Sequence, residues 1–338
     1  MFVVGLALLV SVTVNVALIM RYVYVRDTRM RRFVVNSSLV AFAILFSLAA
    51  LEFGFRQVII SDGFVITLAG RKWLDTYYKP INSLGYRDDD HEDDVAGGKK
   101  FLLVAGDSFV AGHGINDYRD RFSNLVGDAL GDAWSVGIAA QGGWATDREF
   151  RAIESYPVKP DVLIVSYYIN DIDDATAKLD RLPNFYPPPV WAPIRPFVNR
   201  SYLLNFVYWR LVRGTIGMGQ NYWDHVQTAY NDPQIWNVHK GELQGIIDYT
   251  RENDIGLLFV LFPHLVFMDE SSAFTAKVED FLTREGVPVV NMGDRLAGRP
   301  WQDLIVNSID THPNKEVQRE IAADVFDALK ANGLIDRP

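Results

Sequence analysis

The sequence predicts an α/β protein: a three-layer α/β/α sandwich on a five-stranded parallel sheet, preceded by an N-terminal transmembrane hairpin. Two observations predict this. Two uncharged stretches of near-bilayer length stand before residue 60, and from about residue 100 short apolar runs alternate with stretches of helical spacing. Such runs are strands buried on both faces, and their alternation with helices is the signature of a parallel sheet with crossover connections.

Phe2 to Met20 carries no charge, and at about 1.5 Å per residue it approaches the roughly 30 Å of a bilayer core. Phe33 to Leu51 is likewise uncharged and ends at Glu52 and Arg56, although Asn36, Ser37 and Ser38 make it more polar. Between them Arg21, Arg26, Arg29, Arg31 and Arg32 face a single Asp27. Arginine-rich short loops stay on the cytoplasmic side, so everything after about residue 60 is expected outside the membrane. The competing readings are a cleaved signal peptide for the first segment, or a buried hairpin in a soluble protein. Against a signal peptide, the chain opens Met1-Phe2-Val3-Val4 without a positive n-region, and its apolar run leads into arginine rather than a small-residue cleavage site.

Residues 61–99 read as a linker. Turn formers are followed by the charged run Arg87-Asp88-Asp89-Asp90-His91-Glu92-Asp93-Asp94 and then Ala96-Gly97-Gly98. Runs of like charge are usually solvated, and metal binding is the lesser reading of these acids.

The body follows over 100–338. Phe101 to Ala105 is the first strand, and Asp117 to Leu130 a helix with Phe122, Leu125, Val126 and Leu130 on one side. Strand Trp134–Ile138, helix Thr146–Ser155 and strand Val162–Tyr167 come next, the last after the Lys159-Pro160-Asp161 turn. Helices over Lys240–Glu252 and Ala273–Glu285 precede strands Gly256–Phe262 and Val287–Val290, and a final helix runs from Asn314 to about Asn332. An insertion at about 180–238, rich in proline and aromatics such as Tyr186, Trp191, Tyr202, Trp209, Trp223 and Trp236, separates the third and fourth strands. It is expected to be a helical subdomain with its own core, ahead of a carbohydrate-stacking platform or a membrane-contact surface.

Composition removes several classes of function. The net charge of -9 comes with no basic stripe, and a sequence-independent grip on nucleic acid needs one. With no cysteine, disulfides, thiolate metal sites and cysteine nucleophiles drop out. There is no HExxH, no phosphate-binding glycine loop and no GxGxxG after the first strand, so no metal or cofactor is expected.

The chemistry gathers where ligands of such sheets bind, beyond the carboxyl ends of the strands. The first strand ends in Ala105-Gly106-Asp107-Ser108-Phe109, placing a serine on the turn. A serine attacks only if a base takes its proton, and backbone N–H groups of the turn can hold the oxyanion. Alone, Gly-Asp-Ser is also an ordinary turn and cap. Its partners change that: Asp310-Thr311-His312-Pro313-Asn314 supplies a base and a carboxylate just before the last helix, the elements of a Ser-His-Asp triad. Pro313 with Asp310 or Asn314 is equally a helix start, and the two readings are compatible. Ala140-Gln141-Gly142-Gly143 after the second strand and Tyr168-Ile169-Asn170-Asp171 after the third offer a backbone N–H and an amide as oxyanion donors. His113 and His264 are candidate substrate contacts, whereas His225 and His239 have no recognisable partner.

Serine, glycine, asparagine and Asp/His in this order resemble the four blocks of the GDSL/SGNH hydrolase superfamily over about residues 100–335. The resemblance implies a flavodoxin-like sheet and assigns Ser108 as nucleophile and oxyanion donor. Gly143 and Asn170 complete the oxyanion hole, His312 is the base and Asp310 orients it. Ile81-Asn82-Ser83-Leu84-Gly85-Tyr86-Arg87 and the anchor ending in Leu51-Glu52 look like the membrane-attached bacterial branch, which implies a bacterial inner-membrane protein with an extracytoplasmic catalytic domain. The family usually has two residues between aspartate and histidine; here Thr311 alone stands there, a spacing similar to the alginate O-acetyltransferase branch. That leaves open a Ser108–His312 dyad or another carboxylate in place of Asp310, and Gly142 can replace Gly143. The implied substrate is an acylated, O-acetylated carbohydrate or lipid of the cell envelope. It would be deacylated by a serine esterase, or acylated by an O-acetyltransferase supplied by a polytopic acyl-donor partner; a non-catalytic envelope-assembly protein of the same fold is the remaining reading.

Overall fold

The computed structural model describes residues 28–182, 189–215 and 218–336, together with 12, 14 and 15. The first apolar stretch, apart from those three residues, and the arginine loop up to Asp27 lie outside the described residues, as does Tyr186. In chain order α1 (Thr28–Gln57), α2 (Leu68–Tyr77) and α3 (Glu92–Ala96) come first. The alternating part runs β1 (Lys100–Gly106), α4 (Phe122–Leu130), β2 (Trp134–Ala140), α5 (Thr146–Ser155), β3 (Val162–Tyr168) and α6 (Asp173–Lys178). The insertion supplies α7 (Arg195–Val198), α8 (Tyr202–Thr215) and α9 (Met218–Asn231), and α10 (Pro233–Glu252) leads to β4 (Gly256–Phe262). Then follow α11 (Met268–Arg284), β5 (Val289–Asn291), α12 (Met292–Leu296), β6 (Ile305–Asn307), β7 (Asp310–Pro313) and α13 (Lys315–Ala331). The chain divides into two compact units, one of residues 1–60, 67–69 and 188–216, the other of 61–66, 70–187 and 217–338.

The larger unit holds the sheet, ordered β2-β1-β3-β4-β5 with every pairing parallel. β1, β3 and β4 were legible because their side chains are buried on both faces, which removes the polar alternation of a half-exposed strand; β5, at the edge of the sheet, is only partly buried. The pleat sorts them into two cores. Phe101, Leu103 and Ala105 of β1 join α5, α10 and α11 through Ile153, Leu243, Ile246 and Val278. Leu102 and Val104 face the other way and meet Phe122 and Val126 of α4 and Val317, Ile321 and Val325 of α13. From β1 the chain goes to one side for β2 and then to the other for β3. The carboxyl end of β1 is therefore the switch point of the sheet, where an open α/β fold leaves a crevice.

Two expectations are corrected. Residues 61–99 are not a solvated linker: they contain α2 and α3, and Arg87 and Asp88 are buried within the larger unit. Nor is the insertion a subdomain with a core of its own. Trp223, Val226 and Tyr230 of α9 belong to the core that covers the sheet, while residues 188–216 fall in the other unit. Aromatic residues attach wherever apolar surface is offered, and composition does not say which surface that is.

In the smaller unit α1 is, among the described residues, the one helix long and apolar enough to cross a membrane, with a mean hydropathy of 2.2 over its most apolar window and none of that window buried. The same length and composition occur in signal sequences.

Candidate active site

Ser108 leaves the sheet at the switch point. Gly106, the last residue of β1, permits the turn because a Cβ there would lie 2.6 Å from Val110 Cγ2 and 3.0 Å from Ser166 Cβ. The buried Asp107 then holds the turn by accepting from Phe109 N at 2.8 Å.

The candidate base, His312, comes from a part of the chain with no strand signal. β6 and β7 form a small antiparallel hairpin, and residues two apart in a strand point to the same side. Asp310 is buried, Thr311 is exposed and His312 is partly buried, so the single intervening residue puts carboxylate and imidazole on one face. His312 Nε2 lies 2.7 Å from Ser108 Oγ, and His312 Nδ1 lies 2.5 Å from Asp310 Oδ1. The carboxylate at hydrogen-bonding distance from the imidazole is thus that of Asp310. The cap reading holds for Asn314, whose Oδ1 accepts from Val317 N at 3.0 Å.

Burial alone would push His312 towards its neutral form, but the Asp310 charge and hydrogen bond outweigh it and raise its pKa above the ordinary 6.5. Burial also opposes ionisation of Asp310, yet the His312 charge and hydrogen bond, the His113 charge and the Ser61 hydroxyl hold its carboxyl well below the usual range. The pair is thus built as a charged acid beside an imidazole that protonates readily. Burial first, and then repulsion from neighbouring carboxylates including Asp107, pushes the carboxyls of Glu149 and Asp171 far upward, favouring their neutral forms.

The candidate oxyanion donors follow the two strands that flank β1. Gly142 borders the nucleophile, since a Cβ built on it would lie 3.7 Å from Ser108 Cβ. Gly143 takes φ 77°, a left-handed conformation that suits glycine. Asn170 donates Nδ2 to Trp144 O at 3.3 Å, which ties the end of β3 to the loop carrying both glycines.

His113 sits behind Asp310. Its Nε2 lies 3.0 Å from Asp62 O and 3.7 Å from Asp310 Oδ2, and its ring packs between Trp73 at 5.0 Å and His312 at 4.7 Å. Burial and the His312 charge lower its pKa to about 4. His264 caps its own turn: Nδ1 accepts from Val266 N at 3.2 Å and Phe267 N at 3.3 Å, and burial lowers its pKa to about 4. Among the described residues no hydrogen bond joins it to Ser108 or His312. His225 and His239 do have partners, Asp173 at 3.0 Å for the first, and Tyr167 at 2.8 Å and Glu242 at 3.0 Å for the second.

His113, Asp310 and His312 offer ligand atoms within 4.8 Å of one another. A metal ion there would have to displace the Ser108, Asp310 and Asp62 partners that these ring nitrogens already hold.

Sequence reasoning missed Ser61. Its hydroxyl donates to Asp310 Oδ2, leaving Oδ1 for His312. The segment is laced to the hairpin by Gly63 N to Ile309 O at 3.1 Å and Asn307 Nδ2 to Ser61 O at 3.2 Å. A lone serine 249 positions away carries no local signal. Ser61→Ala is expected to lower kcat for ester hydrolysis roughly tenfold or more, since a hydrogen bond to a charged group contributes about 1.5–3 kcal/mol, with KM little changed and Ser61→Thr restoring the rate. An unchanged kcat in the alanine variant would remove Ser61 from the positioning of Asp310.

Arg87 also acts at a distance in sequence. Its guanidinium donates to the carbonyls of Gly112, Ile115 and Tyr77, each at 2.7 Å, clamping the loop that leaves Ser108. Arg121 reaches the same region from the other side, donating to Arg87 O at 2.5 Å and to Asp88 Oδ1 at 3.1 Å.

No protein-family model matches the chain, and no curated protein matches it. Solved structures similar to it include a lipase/acylhydrolase from Enterococcus faecalis, at 11% identity and TM-score 0.43 over 69% of this chain and 96% of that one. A carbohydrate acetylesterase family member from Sinorhizobium meliloti is similar at 14% identity and TM-score 0.40 over 70% and 100%. A two-domain esterase active on acetylated mannans is similar at 13% identity and TM-score 0.44 over 73% and 52%. At so low an identity the chemistry rests on the side chains of this chain.

Proposed function

We propose that this protein is a serine esterase of the GDSL/SGNH type, acting through a Ser108 acyl-enzyme on an O-acetylated carbohydrate or lipid of the cell envelope. The observation that carries the reading is the continuous chain Ser108 Oγ–His312 Nε2 at 2.7 Å and His312 Nδ1–Asp310 Oδ1 at 2.5 Å. Ser108 Oγ attacks the acyl carbonyl as its proton passes to His312 Nε2, and Asp310 stabilises the imidazolium that forms. The N–H groups of Ser108 and Gly142 or Gly143, with the Asn170 amide, meet the developing oxyanion. His312 returns the proton to the leaving alkoxide; a second oxygen nucleophile, deprotonated by the same imidazole, then attacks the acyl carbonyl, and as the bond to Ser108 Oγ breaks His312 gives that proton back to Ser108. Where a sugar hydroxyl excludes water at that step, the product is a transferred acyl group. The Asp310-Thr311-His312 spacing favours this second reading, as an O-acetyltransferase.

The test uses the full chain in detergent with p-nitrophenyl acetate and a fluorophosphonate probe. Release of nitrophenolate and covalent labelling of Ser108 support the reading, and the absence of both leaves a non-catalytic envelope protein. Adding an oligosaccharide acceptor and weighing the products separates transfer from hydrolysis.

The pH dependence follows from the pKa directions. His312 must be neutral to act as base, so activity falls as pH drops through its pKa, and the acid limb of kcat/KM is expected to have its midpoint above 6.5. In Asp310→Asn the main raising influence is gone, and the lesser Asp107 charge is left against the lowering effect of burial on the imidazole. The limb then shifts to lower pH while kcat falls by roughly a thousand- to ten-thousandfold. A midpoint that rose or stayed fixed would show that Asp310 is not the group that charges His312.

A further inference from the structure

The smaller unit carries a feature that the esterase reading does not use. The C-terminal part of α1 is joined to α8 by a buried carboxylate: Glu52 Oε2 accepts from Ser201 Oγ at 2.7 Å and Leu203 N at 3.0 Å, and Oε1 from Tyr202 N at 3.1 Å. Glu52 thereby satisfies the first N–H groups of α8, which a helix start otherwise leaves open. Phe55 and Phe206 pack beside it with ring centroids 4.8 Å apart.

This junction fixes a depth. Phe33 to Leu51 is the uncharged stretch of α1, about 28 Å long at the rise of an α-helix, against a hydrocarbon core of roughly 30 Å. Glu52 is the first charge after it and so falls at headgroup level, and α8 begins there. Along α8, Leu204, Val207 and Leu211 are spaced as one helical stripe and are exposed by 46, 43 and 64%. Phe197 of α7 and Trp191 before it are exposed too. Residues 189–215 contain Arg195, Arg200, Arg210 and Arg213 and no Asp, Glu or Lys, in a chain whose net charge is -9. Arg195, Arg200 and Arg210 are exposed. An apolar stripe, aromatic residues and an all-cationic polar set are what a helix lying in the plane of an anionic membrane surface requires.

We propose that α7 and α8 form a second membrane-contacting element, lying in the interface at the Glu52 end of the span with Leu204, Val207 and Leu211 towards the acyl chains. Its arginines face anionic lipid headgroups. The proposal rests on the reading that α1 crosses the bilayer, and does not depend on the chemistry of Ser108.

Because the chain has no cysteine, single substitutions can be labelled uniquely. Leu204→Cys, Val207→Cys, Leu211→Cys and, in α1, Ile44→Cys are made in the full chain and labelled with an environment-sensitive fluorophore. Each is reconstituted in vesicles of phosphatidylethanolamine and phosphatidylglycerol, with spin labels either near the headgroup or near the chain terminus. Unaltered melting curves identify variants that fold. The expected result is that Ile44→Cys is quenched best by the deep label and the three α8 positions by the shallow one, by at least about twofold over the other label. Deep quenching at Ile44→Cys with none at the α8 positions overturns the proposal, because protein then covers the stripe, whether a second copy or Phe2–Met20. No quenching at Ile44→Cys overturns the spanning reading itself. A Val207→Cys chain that also carries Arg195→Gln, Arg200→Gln and Arg210→Gln is expected to lose about half or more of its shallow quenching. Unchanged quenching in that chain overturns the role given to anionic headgroups.

Discussion

Ser108→Ala is expected to lower kcat for ester hydrolysis by roughly a millionfold, the scale on which a serine nucleophile and its base act as one unit. The magnitude is large because no other hydroxyl takes the place of Ser108 Oγ, whose proton His312 Nε2 is set to accept at 2.7 Å. The residual rate over water comes from the Gly142–Gly143 loop and Asn170, which still bind the carbonyl oxygen. KM is expected to change little, since the lost interaction belongs to the transition state. Fluorophosphonate labelling disappears entirely. The melting curve stays close to wild type, because removing a partly exposed hydroxyl leaves no buried charge behind. Labelling that persists in Ser108→Ala would place the nucleophile elsewhere. His312→Ala is expected to cost nearly as much as Ser108→Ala, and the double variant scarcely more than either.

The largest stability effect is expected at Asp88. This carboxylate is buried and accepts from Arg121 Nη2 at 3.1 Å and from Ile138 N at 2.9 Å, with His91 Nε2 at 3.0 Å. Arg121 is buried as well. Asp88→Ala leaves that guanidinium with Asn124 and backbone carbonyls but without a counter-charge. Breaking one side of a buried pair costs about 3–5 kcal/mol, a fall in Tm of roughly 10 °C or more for a unit of this size. The neighbouring Asp90 is exposed and bonds only to Ser83 among the described residues. Asp90→Ala is expected to leave the melting curve close to wild type. Thermal melts of the two variants side by side check this, and equal losses would show that the whole acidic run is solvated. Arg121 also holds the backbone carbonyl of Arg87, whose guanidinium clamps the loop after Ser108, so Asp88→Ala is expected to lower activity in parallel.

The strands were legible because each is a short apolar run closed off by turn residues, and in β1, β3 and β4 burial on both faces writes that pattern into consecutive residues. The turn that carries Ser108 was legible for the same local reason: Gly106 and Ser108 stand at the end of such a run. The fate of Arg87 and Asp88 was not. A charged residue in a run of acids looks the same whether it is solvated or clamped against carbonyls from residues 77 to 115, because its partners are distant in sequence.

Asp310 and His312 show the division most plainly. The sequence by itself determined that an acid and a base lie one residue apart before the last helix, in a chain with a serine at the end of its first strand. Whether that spacing could serve a triad depended on conformation. One intervening residue sets the side chains on one face of a strand and on different faces of a helix, and β7 is a strand only because β6 pairs with it. Ser61, which donates to Asp310 from the start of the presumed linker, has no pattern of its own. Sequence periodicity records which faces are buried, whereas hydrogen bonds across hundreds of residues are decided only when the tertiary structure brings the two ends together.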